Sequence, residues 1–223
     1  MTFQQQLPIV LHSLNEGFVQ TLKLFLVTAV GAIPLGLIIS FGSMSRFKPL
    51  SWLTRLVVWV VRGTPLMIQL LIIFYFPGLV LKNNIWGGGE SGRFLAAAIA
   101  FIVNYACYFS EIYRGGIQSV PIGQEEAGLV LGMTRHQIFF RVTLLQMVKR
   151  IVPPISNEVI TLVKDTSLAF TLAYMEMFSI SKQIANSQSS FTPFLIAGVF
   201  YYLMNSVVAF AMSRCEKALS YYR

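Results

Sequence analysis

Residues 24–41 read LFLVTAVGAIPLGLIISF, without a single charge. A helix crosses a bilayer with about 20 predominantly apolar residues, so this run, begun at about Phe18, is long enough to span. Three further stretches share its character: 63–81, 94–110 and 193–213. Composition agrees with them. Of 223 residues, 55% are hydrophobic and 12% are charged, whereas a soluble domain carries roughly 25% charged residues. So little polar surface cannot solvate a globule, and most of the outside must face lipid. A spanning barrel would show short alternating segments instead, and none occur. The fold class is therefore an all-α integral membrane protein, read as one domain over residues 1–223.

The formal charge of +8 could suggest a nucleic-acid partner, but its distribution argues against one. Arg46, Lys48, Arg55 and Arg62 follow the first span. Arg114, Arg135, Arg141, Lys149 and Arg150 follow the third, and Arg214, Lys217 and Arg223 follow the last. Basic residues gathered beside alternate membrane faces mark the cytoplasmic side. The N-terminus is then outside and the C-terminus inside, which requires an odd number of crossings. Four are visible from hydropathy, so a fifth is expected between Arg150 and Pro193.

The expected spans are about 18–41, 65–81, 94–113, 151–171 and 193–213. Residues 1–16 read as a short amphipathic lead-in on the outer face. No basic residue precedes Lys23 and no small-residue cleavage pattern follows, so the first span is read as retained. Thr64 precedes Pro65 and is biased away from helical geometry, which predicts a break near the inner surface. An outer loop is expected over 77–93. Its Gly87–Gly92 matches G-x-G-x-x-G, but without a βαβ unit the match is accidental. The third span is expected to end at Gly115-Gly116. The fourth carries Pro153-Pro154 near its start and is weakly hydropathic because of Asn157, Glu158, Lys164 and Asp165. An outer, partly amphipathic helix and loop should occupy 172–192. Cys107, Cys215, His12 and His136 show no metal-ligand spacing.

The most informative stretch is 121–146. Pro121 can open a helix, and Glu125 and Glu126 suit the positive end of its dipole. Gly132 suits a left-handed terminating position. Thr134 with Gln137 makes a capping-box signature for a second helix. The segment thus reads as a short helix, a glycine turn and another helix, with small residues that let a partner approach closely.

The order Gly123-Gln124-x-Glu126-Ala127-Gly128-x-x-Leu131-Gly132 resembles the EAA loop of ABC importer permeases. Arg62-Gly63-Thr64-Pro65-Leu66 with Gln69-Leu70, and Glu111-Ile112-x-Arg114-Gly115-Gly116-Ile117, are similar to the polar amino-acid branch of that family. So are Pro153-Pro154-x-x-Asn157-Glu158 and Lys164-Asp165-Thr166-Ser167-Leu168. Two departures stand out: Gly128 replaces a small residue that is usually alanine, and Leu145 stands where a proline commonly precedes Gln146. The resemblance implies a type I importer permease of five spans, paired with a second permease subunit, identical or paralogous. It implies two ATP-binding subunits that hold ATP and Mg, an extracytoplasmic amino-acid-binding protein, and a bacterial cytoplasmic membrane. Gln124, Glu126, Ala127, Gly128, Leu131 and Gly132 would form the coupling helix. No cofactor is expected in this chain, which lacks G-x-x-x-x-G-K-[ST] and so cannot cradle nucleotide phosphates by that route.

Ionisable residues inside a span are costly and mark pathways. Glu158 and Asp165, seven apart, share one helical face with Thr161 near it, and Asn157 and Lys164 share the adjacent face. Both charge signs that a zwitterionic amino acid needs are thus on one helix, and two acids against one base lean towards neutral or cationic substrates. The alternative is an interhelical ion pair through Lys164. Glu111 and Arg114, three apart, are read as a structural pair. Lys23 is expected to snorkel, and Asn104 and Asn205 to bridge helices. The competing function is an ion-coupled secondary carrier with Glu158 or Asp165 carrying a proton, although such carriers often show internal repeats and none is evident. A membrane enzyme is the third class, and no metal cluster, serine elbow or His/acid constellation supports it.

Overall fold

A computed structural model describes residues 3–219, with side chains from Pro8 onward; Arg223 of the last basic zone lies outside the described residues. The chain is almost wholly helical: α1 (Phe3–Ser43), α2 (Lys48–Arg62), α3 (Leu66–Leu79), α4 (Gly89–Gln118), α5 (Ile122–Val130), α6 (Arg135–Ile138), α7 (Leu144–Asp165), α8 (Met177–Gln188) and α9 (Thr192–Ala218). A π-helical turn, Phe139–Thr143, joins α6 to α7, and a 3-10 segment, Thr166–Leu172, continues α7.

Helices α1, α4 and α9 are each long and apolar enough to cross a membrane, as is the α2–α3 pair taken together across its 108° bend. Helix α7 does not meet that requirement, because Lys149, Arg150, Asn157 and Glu158 interrupt every 18-residue stretch of it. It nevertheless packs between α4 and α9 in the same bundle. The bend falls at Thr64-Pro65, where Pro65 is extended at φ −63° and ψ 134°. Gln69 fastens it: its Nε2 donates to Val61 O (2.7 Å), Thr64 O (3.0 Å) and Thr64 Oγ1 (2.8 Å).

Helix α4 is the centre of the bundle and packs along α1, α3 and α7. Ala96, Ala97, Ala98 and Ala100 are buried on it, with Phe101 and Phe109 filling the space between helices. Apolar helices gain no hydrophobic drive from lipid, so close van der Waals approach through small residues holds them together. A Cβ on Gly36 of α1 would lie 2.7 Å from Phe109 Cβ and 3.0 Å from Ala106 O. Gly36→Val should therefore cost about 1–3 kcal/mol by overpacking, read as a lowered unfolding midpoint of the detergent-purified protein. An unchanged midpoint would show that α1 and α4 do not meet there.

Several boundaries differ from the sequence expectation. The lead-in 1–16 is not a separate element: α1 runs unbroken from Phe3 into the span, because Gly17 lies against Met177 of α8 instead of breaking the helix. The outer loop is shorter than 77–93, since α3 continues to Leu79 and α4 starts at Gly89. Pro77 cannot donate to Ile73 O, four residues back; the indole Nε1 of Trp86 does so instead, at 3.0 Å. The third span does not stop at Gly115-Gly116, and α4 runs on to Gln118. Gly116 serves close approach, because a Cβ there would collide with Ile151 of α7. Pro153-Pro154 lie inside α7, which begins at Leu144, so the last residues of the 121–146 segment are already part of that helix.

Candidate functional site

Three polar regions lie along the bundle. The first is the face of α7 and its neighbours. Asn157 and Lys164 are exposed, while Glu158, Thr161 and Asp165 are half-buried. Thr161 Oγ1 donates to Asn157 O at 2.9 Å, a bond within the helix. Tyr105 of α4 donates its hydroxyl to Asp165 Oδ2 at 2.7 Å. The carboxylate is thereby aimed and held, with its second oxygen left available. Tyr105 is a residue the sequence reading missed; it sits in an apolar helix with nothing local to single it out. Among the described residues, the ion pairs involve none of Glu158, Lys164 and Asp165, so the interhelical pair through Lys164 is not formed within this chain. Beside this face, Asn104 Nδ2 donates to Gln69 Oε1 at 3.0 Å, linking α4 to the broken helix. The Oδ1 of Asn205 on α9 is buried and has no hydrogen-bond partner among the described residues.

The second region is the end of the bundle formed by α2, the C-terminal turns of α4 and α5. Glu111 takes two bonds from Arg114, Nε to Oε1 at 3.0 Å and Nη2 to Oε2 at 2.6 Å, and Arg62 Nη1 stands 3.8 Å from the same carboxylate. This fork geometry is the strong form of an ion pair. Helix α5 follows. Its C-terminus closes with Met133 N–H donating to Gly128 O (3.0 Å) and Gly132 N–H to Leu129 O (2.9 Å), with Gly132 at φ +76°. Those two bonds make a Schellman cap, which needs the left-handed residue that glycine supplies without strain. Thr134 and Gln137 form a reciprocal capping box at the start of α6. Gln146 Nε2 donates to Gln124 Oε1 at 3.0 Å, tying α5 to the first turn of α7. Gln124, Glu126, Ala127, Leu131 and Gly132 are exposed, and Gly128 is buried against Ile138. Ile122, Val130 and Leu131 expose 74%, 87% and 80% of their surface. Apolar side chains so open, at the two ends of a capped element, are surface for a partner.

The third region, around the start of α8, escaped the sequence reading. Glu176 is fully buried and caps α8, accepting from Phe178 N–H (2.7 Å) and Ser179 N–H (2.6 Å) and from the Tyr201 hydroxyl (2.9 Å). Nearby, Tyr174 donates to Gln20 Oε1 at 2.9 Å, and Met177 N–H donates to Thr21 Oγ1 at 3.1 Å. Lys23 lies 4.3 Å above the Phe94 ring, so its ammonium has an aromatic partner besides the interface. Burial pushes the Glu176 carboxyl up to about 7, against the opposing pull of its backbone and tyrosine donors. A raised carboxyl binds its proton more tightly folded than unfolded. Its contribution to stability is full below the ordinary glutamate range and is lost as pH rises through about 7. Glu176→Gln should therefore flatten the fall in unfolding midpoint between pH 5 and pH 8. A slope identical to that of the unaltered protein would contradict this.

Comparison with known proteins bears on all three regions. The family described as "Binding-protein-dependent transport system inner membrane component" matches residues 32–221. The L-cystine transport system permease protein TcyB of Bacillus subtilis (strain 168) is 35% identical, over 94% of this chain and 87% of its own length. The octopine transport system permease protein OccM of Rhizobium radiobacter is 39% identical, over 89% of this chain and 84% of its own. A crystal structure of an amino acid ABC transporter with histidines superimposes with a TM-score of 0.86 at 28% identity, covering 98% of this chain and 99% of that one. These are ABC transport permeases and not ion-coupled carriers, so the secondary-carrier alternative falls. The chain belongs to the family of binding-protein-dependent transport system inner membrane components.

Proposed function

We propose that this chain lines the path by which a polar amino acid enters the cell, and that α5 transmits the work of a separate ATPase to that path. It is a permease subunit of an ABC importer. The observation that carries the reading is the pairing of two features on α7 and its lead-in. One is the half-open polar face of Asn157, Glu158, Thr161, Lys164 and Asp165; the other is the capped, apolar α5 tied to the first turn of the same helix through Gln124 and Gln146. Movement of α5 is therefore passed directly to the residues that would meet substrate.

In this reading Glu158 and Asp165 receive the substrate ammonium group, and Lys164 its carboxylate. Tyr105 positions Asp165 without reacting. Gln124, Glu126, Ala127, Gly128, Leu131 and Gly132 seat in the ATPase, which holds ATP and Mg2+. A second permease subunit completes the path, and an extracytoplasmic binding protein delivers the amino acid. The N-terminus faces outward and the C-terminus the cytoplasm of a bacterial cell. The amino-acid names carried by relatives such as TcyB support the substrate class. Binding energy moves such a system only through contacts that differ between its two states, and the exposed face of α5 offers the ATPase such contacts.

The test is ATP hydrolysis by the reconstituted complex with its binding protein, measured across a panel of amino acids. Stimulation by one polar amino acid is expected. Uptake that proceeds without the ATPase and follows a proton gradient would overturn the reading.

A further inference from the structure

A cavity of about 280 Å3 opens between α2 and the inner end of α4, lined by Arg55, Val58, Trp59, Arg62, Glu111 and Arg114. It sets three guanidinium groups against one carboxylate. That carboxylate is already committed, since both oxygens of Glu111 accept from Arg114, whose Nη1 also donates to Gln118 Oε1 at 2.9 Å. Arg62 stands 3.8 Å from Glu111 and 5.1 Å over the Tyr108 ring. Among the described residues it donates no hydrogen bond. Arg55 uses its Nε on Ser43 O at 3.0 Å, which leaves its two terminal nitrogens. Two forks of donors thus face a cavity in which positive charge exceeds negative.

The surroundings narrow what could fill it. Arg55 and Arg62, seven apart, form one stripe of α2. Val58, buried, flanks that stripe on one side, and Trp52 and Trp59, 67% and 75% exposed, flank it on the other. Arginines bordered by exposed tryptophan on an amphipathic helix are the pattern of a membrane interface, where apolar tails and charged headgroups meet. A guanidinium fork matches the oxygens of a phosphate in charge and shape, and basic pockets between helices on the cytoplasmic side take acidic headgroups.

We propose that the α2–α4 cavity is a phosphate-group site, filled by the headgroup of an acidic phospholipid or by a free phosphate anion and held by Arg55 and Arg62. An anion there also neutralises the charge that crowds the Thr64-Pro65 break, so occupancy steadies the angle between α2 and α3. Neither arginine belongs to the substrate face or to α5, and the binding test below requires no transport; it stands or falls separately from the proposed function.

The test takes the purified complex of this chain with its ATPase, stripped of lipid in a neutral detergent. The unfolding midpoint is followed while short-chain phosphatidylglycerol, short-chain phosphatidylcholine or inorganic phosphate is added. Phosphatidylglycerol or inorganic phosphate should raise the midpoint saturably, and phosphatidylcholine should not. Arg55→Gln and Arg62→Gln should each raise the apparent Kd about tenfold, the worth of a charge-assisted contact. Saturation by the lipid that phosphate cannot displace assigns a headgroup; saturation by phosphate alone assigns a free anion. Absence of both responses in the unaltered complex overturns the proposal, and this arm holds even if a variant fails to fold. An unchanged Kd in both variants overturns it as well.

Discussion

Replacing Glu158 with Gln and Asp165 with Asn should weaken the apparent affinity for the imported amino acid by about ten- to hundredfold, while ATP hydrolysis without substrate stays near its original rate. The two carboxylates sit seven apart on one face of α7, half-buried, where a charge has little water to rely on. A hydrogen bond to a charged group contributes about 1.5–3 kcal/mol, and every 1.4 kcal/mol is about tenfold in affinity. Asp165 is aimed by the Tyr105 hydroxyl at 2.7 Å, so Tyr105→Phe should reproduce a smaller part of the loss, with Asp165 present but less well placed. Uptake by reconstituted vesicles over a range of substrate concentrations separates affinity from maximal rate. Unaltered affinity in the double variant would remove α7 from the path.

Gly128→Leu should abolish most of the coupling without unfolding the bundle. A Cβ at this position would lie 2.6 Å from Ile138 Cγ1 and 2.9 Å from its Cδ1, so a larger side chain must push α5 away from α6. Such overpacking costs about 1–3 kcal/mol, which corresponds to roughly ten- to hundredfold in the seating of α5 on the ATPase. Substrate-stimulated ATP hydrolysis should fall accordingly, whereas the far side of the molecule, built on α1, α8 and α9, is untouched. Gly132→Ala acts at the same corner by another route. Its φ of +76° costs an L-residue about 1–2 kcal/mol, so a weaker version of the same uncoupling is expected. Stimulation that survives Gly128→Leu would show that α5 does not carry the signal.

The parts of this molecule that were legible in the sequence are those fixed by local chemistry. Uncharged runs announced α1, α4 and α9, Thr64-Pro65 announced the break, and Gly132, Thr134 and Gln137 announced the turn between α5 and α6. Each of those signals needs only neighbours a few residues away. What stayed hidden depends on partners far along the chain. The Tyr105 hydroxyl meets Asp165 sixty residues later, and Tyr174 reaches back to Gln20. Glu176 looked like an ordinary residue of an outer loop, yet it is buried because Tyr201 of α9 closes over it. Pro77 was read as the start of a loop; Trp86 supplies from outside the helix the donor that proline lacks, which composition could not foretell. Gly115-Gly116 misled for a related reason. Glycine ends helices when it takes a left-handed turn, but Gly116 stays helical to let Ile151 come close.

The central claim is that α5 is a cytosolic lever joined to a membrane path, and its position relative to the membrane tests that claim most directly. A single cysteine at Gln124 or Leu131, both exposed, can be placed in a background where the exposed Cys215 is serine; Cys107 is buried and can remain. A membrane-impermeant thiol reagent applied to intact cells should leave the new cysteine unmodified. The same reagent should label it once the membrane is opened, and the ATPase subunit should protect it. Labelling from outside intact cells would place α5 beyond reach of any ATPase and contradict the account.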